Sequence, residues 1–249
     1  MAPAKRTKQQ DFYVYVDTVV FTVNPDRTVA PRDKLEVLVM RRPESVANKW
    51  ALPGGLVGEA EPLEDASVRK VAEETGIRLK HKDIHQVRAF GDPDRDDRWR
   101  AISIAYMALL AHPGEINPVK DSVEAKFLPY RRLRDNSRLL EFDHVNIIYE
   151  ARRLARKMLE DTNVALSFCR PKFTISELRS VYEAFLQYPV DPANFRRKVD
   201  AVPGFVEPLE EFADFGSSPG RPAQMYKAGR AVDLKTPIRF RRESGRIRG

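Results

Sequence analysis

Cysteine is almost absent from this 249-residue chain, in which Cys169 is the single example. One cysteine excludes an intrachain disulfide and any metal site built from several thiolates. The sequence also has no uncharged stretch of about 18 residues, the length of an ordinary membrane-spanning helix. No apolar run of signal-peptide length follows the basic start MAPAKRTKQQ. These absences predict a soluble cytoplasmic protein with no membrane partner.

The charge balance is moderately positive. There are 43 Lys and Arg residues against 36 Asp and Glu residues, which leaves a net charge of +7. Hydrophobic residues make up 42% of the chain, enough for a packed core, and this excludes a mainly disordered protein. The length predicts one large domain or two modest ones. The excess of positive charge favours an anionic partner.

The first half of the chain alternates strand-like and helix-like patterns. DFYVYVDTVVFTV, KLEVLVMRR, IHQVRAF and AISIAYMALL predict strands, and EAKFLPYRRL predicts a further short strand and turn. After WALPGGLV, a helical pattern ends at Gly76, since glycine is the usual residue just beyond a helix. The mixture predicts an α/β or α+β class.

One motif lies within residues 54–77, which read GGLVGEAEPLEDASVRKVAEETGI. The spacing of its residues resembles the Nudix box: Gly55, Glu61, Arg69, Lys70, Glu73 and Glu74. The resemblance implies a Nudix α/β/α sandwich over about residues 11–160. In hydrolases of this family, three glutamates on one helix face hold a divalent metal for pyrophosphate cleavage. Positions 70, 73 and 74 do fall within an arc of about 100° on one helix face.

Lys70 departs from that pattern, because it replaces the first of the three glutamates. A cation one helical turn from Glu73 and Glu74 can neutralise both carboxylates. We therefore expect no catalytic residue and no required cofactor. Residual Mg²⁺ could still bind at Glu73 and Glu74, with Glu59, Glu61 or Glu64 as a further ligand. A plain amphipathic helix over residues 62–75 would explain Lys70 but not the glycine spacing.

A charged loop separates two of the predicted strands. Seven of the eleven residues from 90 to 100 are charged. A solvated hairpin loop is one interpretation. The other is ligand binding, because an aromatic ring beside guanidinium groups can stack on a base while the arginines bind phosphate. The segment also resembles the GDPDRD-type loop of Nudix proteins that recognise ADP-ribose. The candidate ligand residues are Phe90, Arg95, Arg98, Trp99 and Arg100.

The second half predicts a helix-turn-helix. Thr174 and Glu177 have capping-box spacing, and Asp191 is a suitable N-cap for a second helix. Phe195, Val199 and Val202 recur on the inward side of that helix. Its polar residues Asn194, Arg196, Arg197 and Lys198 can contact base edges and phosphates. An ordinary helical hairpin with a solvated basic face is the alternative.

The residues after the helix pair predict a wing. GFVEPLEEFAD and PAQMYKAG are two candidate strands, and Arg221 lies in the loop between them, where a wing meets DNA. This order of elements is the winged-helix arrangement. The last sixteen residues, 234–249, contain six basic residues and one acidic residue. We expect this basic tail to add salt-sensitive affinity for phosphates.

A degenerate Nudix domain followed by a winged helix resembles the Nudix-related transcriptional regulators of NAD metabolism, the NrtR type. We divide the chain into residues 11–160, 161–233 and 234–249: the sensing domain, the DNA-binding domain and the tail. The resemblance implies a homodimeric repressor that binds double-stranded operator DNA and senses ADP-ribose or a related nucleotide. The alternatives are an active Nudix hydrolase and a nucleotide-binding adaptor without DNA affinity.

Overall fold

The first structural unit is a mixed β-sheet. The computed structural model describes residues 11–41, 48–117, 124–213 and 222–241. The strands of this sheet are β1 Tyr13–Val23, β2 Leu35–Arg41, β3 Gly54–Leu56, β4 Ile84–Phe90, β5 Ala101–Leu109 and β6 Glu124–Pro129. Their order is β4-β5-β1-β2-β6, and β3 pairs with the beginning of β1. The central pair, β1 with β5, is parallel.

The predicted strands are confirmed, with two differences. The three-residue strand β3 was not predicted, because it is too short to show a periodic pattern. The turn expected within EAKFLPYRRL is wrong: β6 is followed directly by a short helix, α2 Tyr130–Asp135. Tyr130 and Leu133 are both buried. They lie three residues apart, the spacing of one helix face, so burial of that face favours a helical turn.

Helices cover both faces of the sheet. α1 (Leu63–Thr75) lies on one face and α3 (His144–Asp161) packs on the other. Alternation along β1 explains this arrangement, since Val16 and Val20 pack with α1 while Val19 and Phe21 belong to the core on the α3 side. The predicted α/β/α sandwich is confirmed.

Two helix faces differ in detail from the sequence pattern. For α1 the helical spacing predicts a core-facing side with Val68, Val71, Ala72 and Thr75. Val71 and Thr75 are buried, and so are Ala66 and Ser67, whereas Val68 and Ala72 are half-exposed. For residues 141–161 the helical spacing of Ile147, Ala151, Leu154, Ala155 and Met158 predicts one apolar stripe. On α3 this stripe is buried at Ile147, Ala151 and Ala155, and only partly at Leu154 and Met158.

The second unit has the predicted winged-helix order. Its elements are β7 Phe173–Thr174, α4 Ile175–Leu186, α5 Pro192–Asp200, β8 Val206–Phe212 and β9 Gln224–Ala228. The strands form a sheet in the order β7-β9-β8. Both predicted caps are present: Thr174 and Glu177 form a capping box, and the Asp191 side chain accepts a hydrogen bond from the Asn194 backbone N–H. The wing tip, including Arg221, lies outside the described residues.

The two units share one hydrophobic core. Phe21 of β1 and Phe185 of α4 are both fully buried, and their rings meet edge to face with centroids 6.0 Å apart. The helical spacing of Leu178, Val181, Tyr182, Phe185 and Leu186 in the sequence predicts one buried stripe, and all five are buried on α4. Because this core is continuous, α4 is fixed against the sheet as well as within the winged helix.

The first part of the basic tail is packed. Leu234, Ile238 and Phe240 are all buried. The Phe240 ring stacks on Phe195 of α5 at 5.5 Å between centroids. These three side chains therefore contribute to the core around α5, whereas Lys235, Arg239 and Arg241 are exposed. Residues 242–249 lie outside the described part of the chain. Within the described ranges, no helix is long and apolar enough to cross a membrane.

Candidate functional sites

The box motif forms the turn from β3 into α1. Gly76 ends α1 in the left-handed conformation (φ +78°), and a Cβ there would lie 2.1 Å from the Asn117 carbonyl oxygen. Gly55 has a different role, because a Cβ at this position would lie 2.7 Å from Cε of Lys70. The glycine therefore allows the Lys70 side chain to lie directly over β3.

The glutamates of the motif are engaged by cations. Arg69 donates to both carboxylate oxygens of Glu61 at 2.6 Å, and to Glu73 at 3.2 Å. Lys70 Nζ lies 3.2 Å from Glu73 Oε2. The hydrogen bonds from Arg69 lower the pKa of Glu61 to about 2. Arg69 and Lys70 also lower the pKa of Glu73, against the opposing effect of its burial. Both carboxylates are therefore held in their charged forms by protein cations.

Glu74, unlike Glu61 and Glu73, is buried. It is only 5% exposed, and its carboxylate accepts a hydrogen bond from the Gly54 backbone N–H at 2.9 Å. The interaction ties α1 to β3. Over the described ranges, no group of three or more His, Cys, Asp and Glu side chains has an arrangement that could hold a metal ion.

A small pocket of about 40 Å³ lies beside the motif, on the opposite side of β3 from α1. Asp17 is central to its floor. The Asp17 carboxylate accepts from Ser103 Oγ at 2.6 Å and from Arg95 at 3.5 Å, and it lies 3.6 Å from His144 Nε2. Arg95 also pairs with Asp143 at 2.8 Å.

The first residue of α3 is also part of this floor. His144 Nδ1 accepts the Leu52 backbone N–H at 3.0 Å. Burial lowers the pKa of His144, and the nearby carboxylates of Asp17 and Asp143 oppose that shift only in part. The imidazole is thus held neutral, with Nε2 able to donate towards Asp17.

The charged loop closes the pocket. Arg98 forms a bidentate pair with Asp96 and lies over the rings of Trp99 and Phe142, with its guanidinium carbon 4.8 and 5.1 Å from their centroids. Trp99 remains 42% exposed and donates its indole N–H to the Tyr15 hydroxyl at 2.8 Å. Cation–π and bidentate contacts of this kind hold the loop in one arrangement.

The five predicted ligand residues therefore divide between three environments. Arg95 and Arg98 line the pocket. Trp99 lies on its outer side, and Arg100 lies against Phe12 with 5.5 Å to the ring centroid. Phe90 is 3% exposed and belongs to the core.

The sequence interpretation missed several pocket residues, chiefly Asp17, His144, Tyr15 and Phe142. An aspartate inside the apolar run of β1 was the available indication of a buried polar site, since charged residues are rarely buried without a partner.

The exposed side of α5 is polar. Arg197 donates to Asn194 Oδ1 at 2.9 Å, so these two side chains form one surface unit. Arg196 points towards the wing, where it donates to the Tyr226 hydroxyl at 2.8 Å. Lys198 lies on the other side, with its ammonium 5.6 Å from the centroid of Phe240. Phe195, Val199 and Val202 are buried as predicted.

Comparison with known proteins identifies both units. A NUDIX domain model matches residues 19–150. The chain belongs to the Nudix family. A second model, the NrtR DNA-binding winged helix domain, matches residues 165–228. The fold and the resemblance expected from the sequence are both confirmed by these matches.

Repressors of the NtrR and NrtR type are similar to most of the chain. The ADPR responsive transcriptional repressor NtrR of Acinetobacter baylyi is 27% identical, over 85% of this chain and 80% of that protein. The crystal structure of Shewanella oneidensis NrtR matches with a TM-score of 0.65 and 27% identity, over 91% of this chain and all of that one. The same protein in complex with a 27mer DNA matches with a TM-score of 0.64 at 25% identity. An ADP-ribose pyrophosphatase of Methanocaldococcus jannaschii is 35% identical over half of this chain and 70% of its own length.

Proposed function

We propose that this Nudix protein is a transcriptional repressor of NAD-metabolism genes, which binds operator DNA through its winged helix and ADP-ribose or a related nucleotide through its Nudix domain. The main support is that one chain contains both a Nudix domain and a winged helix of the NrtR DNA-binding type. The similarity of this chain to the transcriptional repressor of Acinetobacter baylyi supports the same proposal. Residues 11–160 form the sensor in this proposal, residues 161–233 the DNA reader and residues 234–249 a basic tail.

The Nudix domain would act without hydrolysis. Nudix hydrolases typically use divalent metals, and carboxylate oxygens are the ligands that Mg²⁺ requires. The residues present fit such an ion poorly, since Lys70 contacts Glu73 at 3.2 Å and Arg69 occupies both Glu61 and Glu73. A metal would have to displace these cations. We therefore propose a binding domain with no required cofactor.

The pocket has the groups for a pyrophosphate-bearing ligand once the loop of residues 91–100 opens. Arg98 is 47% exposed at its side chain, and its contacts among the described residues are the pair with Asp96 and the rings of Trp99 and Phe142. It can exchange the Asp96 carboxylate for a phosphate, since arginine binds both in the same bidentate geometry. Trp99 and Phe142 can stack on a base. Arg95 is committed to Asp17 and Asp143, so its role is to position the loop.

Helix α3 provides a physical connection from this pocket to the DNA reader. His144 lines the pocket at the start of the helix. Two turns along, Arg152 donates to the Phe185 carbonyl at 2.5 Å. Near the helix end, the Leu159 carbonyl accepts from the Tyr182 hydroxyl at 2.8 Å. A ligand that shifts α3 would therefore shift α4, and the coupling must act equally in both directions.

DNA would be contacted by the exposed side of α5. Asn194 and Arg197 can read base edges in the major groove, and Arg196 and Lys198 can hold phosphates on either side. We also expect Arg221, in the loop between the two wing strands, to contact DNA. A homodimer would present two such helices to half-sites separated by about one helical turn or a multiple of it.

Sequence-specific DNA binding is the first test. Selection of DNA from a random pool with the purified chain should return a palindromic site, and that site should lie upstream of NAD-metabolism genes. Recovery of unrelated sequences with equal affinity would contradict a repressor role.

The alternative is an active hydrolase, which the similarity to the ADP-ribose pyrophosphatase favours. Turnover of ADP-ribose with Mg²⁺ at ordinary enzyme rates, about 1 s⁻¹ or faster, would establish that alternative.

A further inference from the structure

A cavity of about 630 Å³ separates the loop after β1 from the winged helix. Its walls come from residues 23–34 on the Nudix side and from residues 168–183 on the other side. Cavities of about 300–1,000 Å³ are of the size that takes small organic ligands. We call it the interdomain cavity. It is distinct from the pocket at Asp17 and Arg98, because the two share no lining residue.

Lys34 is the unusual residue of this cavity. It is only 8% exposed, and in the part of the chain that the structure describes, its ammonium has no hydrogen bond and no ion pair. Burial lowers the pKa of Lys34, and the carboxylates of Asp26 and Glu177, which lie beyond contact distance, offset that shift only in part. A buried charge without a partner is costly, and proteins usually pair it.

The Lys34 ammonium is still reachable from the cavity. Among the described residues, the side-chain polar atoms that are both inaccessible to solvent and without a hydrogen bond are Arg152 Nε and Ser180 Oγ. Lys34 Nζ is not among them although it has no hydrogen bond, so it is accessible to solvent. Its side chain lines the cavity. A ligand entering there can therefore supply the missing negative charge.

Two arginines at the mouth of the cavity share one carboxylate. Arg27 and Arg170 both donate to Glu177 Oε1, at 2.6 and 2.7 Å. Their side chains are more than half exposed. One carboxylate cannot use all the N–H groups of two guanidiniums. Among the described residues Glu177 is the acceptor for both arginines, so each has N–H groups that this part of the chain does not occupy. Arg27 comes from the Nudix domain and Arg170 from the winged-helix side, so they approach from both walls.

The remaining walls are mixed. Val23, Val29, Pro31, Phe168 and Val181 form the apolar part. The polar part includes Ser180 and the pair Arg179–Glu183, whose charged groups lie 3.9 Å apart. A site with a buried lysine, arginines on both walls and an apolar part suits a molecule with an anionic end and an apolar body. Phosphate matches the donors well, because its oxygens can accept from an ammonium and from guanidiniums at once.

We propose that the interdomain cavity is a second ligand site, specific for a small organic phosphate, with Lys34 as its central anion-binding residue. The ligand contacts both domains, so its binding stabilises their present arrangement. The binding itself is independent of the proposed DNA function. Only its effect on DNA affinity rests on that function.

The test uses the full chain and two probes, inorganic pyrophosphate and AMP, in isothermal titration and thermal unfolding. Wild type should bind a probe and melt at a higher temperature in its presence. Lys34→Met should weaken that binding by about tenfold or more, as expected for loss of a charged contact. Arg153→Ala, at an exposed arginine of α3 that lines neither pocket, should leave it unchanged. The effect of Lys34→Met should be the same in an Arg98→Ala background, where any contribution of the other pocket is removed.

The unfolding temperature of the unliganded variant shows whether Lys34→Met loses binding because it is misfolded. Without any probe, Lys34→Met should unfold at the same temperature as wild type or higher, because it removes an ammonium whose charged form is disfavoured by burial and which no carboxylate of the described residues contacts. Three outcomes would overturn the proposal: no binding of either probe to wild type at millimolar concentration, loss of binding in Arg98→Ala but not in Lys34→Met, or a lower unfolding temperature for unliganded Lys34→Met. Failure of DNA binding would leave all three readouts unaffected, so the two proposals fail separately.

Discussion

Lys70 Nζ lies 3.2 Å from the carboxylate of Glu73, at the place where a Nudix hydrolase carries a glutamate. Gly55 gives the lysine the space to lie there, since a Cβ at residue 55 would collide with its side chain. The contact is a protein ion pair between two positions of the box motif. We propose that this pair, together with the contacts of Arg69, leaves the domain able to bind a nucleotide but not to hydrolyse it.

Restoring the glutamate should restore metal affinity. Lys70→Glu removes the cation and adds an oxygen ligand beside Glu73, so we expect Mn²⁺ to bind about tenfold or more tightly than to wild type, as measured by titration calorimetry. Lys70→Met is the matched control, which removes the charge without adding a ligand and should gain little. Equal gains in both variants would show that charge removal alone is responsible.

The shared core predicts that both domains unfold together. Phe185→Ala should destabilise the chain by about 3–5 kcal/mol, because it empties a fully buried site between α4 and the sheet. Urea unfolding followed by circular dichroism measures this. Phe212→Ala is the control, since Phe212 is 57% exposed, and surface changes usually stay within about 0.5 kcal/mol. Two separate transitions, with only one moved by Phe185→Ala, would contradict a continuous core.

The exposed side of α5 should determine DNA affinity. Arg197→Ala should cost about 1–3 kcal/mol of binding to the selected DNA site and reduce discrimination against altered sites. Fluorescence anisotropy at several salt concentrations measures both effects. Arg153→Ala, an exposed arginine on α3, should leave affinity and salt dependence unchanged. Equal behaviour of the two variants would rule out α5 as the reading helix.

Acidification should destabilise the chain through His144. Burial lowers its pKa from the ordinary 6.5, so the folded state prefers the neutral ring. The free energy of unfolding is therefore unaffected by the titration of His144 above about pH 6.5, and it decreases as the pH falls from there towards the lower pKa of the folded state. Urea midpoints between pH 7.5 and 5 measure the loss. His144→Gln keeps a hydrogen-bond acceptor and should show a shallower pH dependence. An identical dependence in the variant would assign the effect to other groups.

Local patterns identified most of the fold. Runs rich in Val, Tyr and Phe predicted β1 and β2, and the caps at Thr174 and Asp191 marked the starts of α4 and α5. The sequence could not show that Phe21 meets Phe185, because that contact joins residues far apart in the chain. For the same reason the packing of Phe240 on Phe195 was not predicted, and residues 234–241 read only as a charged tail.

The ligand site was less predictable than the fold. The charge pattern marked the loop of residues 91–100, but not which arginine is committed to buried carboxylates and which stays available. Arg95 is held by Asp17 and Asp143, which come from separate elements, whereas Arg98 is held by its near neighbour Asp96. That Lys34 is buried without an ion pair among the described residues also depends on the tertiary structure and could not be predicted from the sequence.

We propose that nucleotide binding and DNA binding are coupled in this Nudix protein. The most direct measurement is fluorescence anisotropy of the selected DNA site with wild type while ADP-ribose is titrated, with Arg98→Ala as the control. We predict that saturating ADP-ribose changes the Kd for DNA by about fivefold or more, and that Arg98→Ala needs more ADP-ribose to reach the same change. A specific complex whose Kd is the same with and without ADP-ribose would contradict the account.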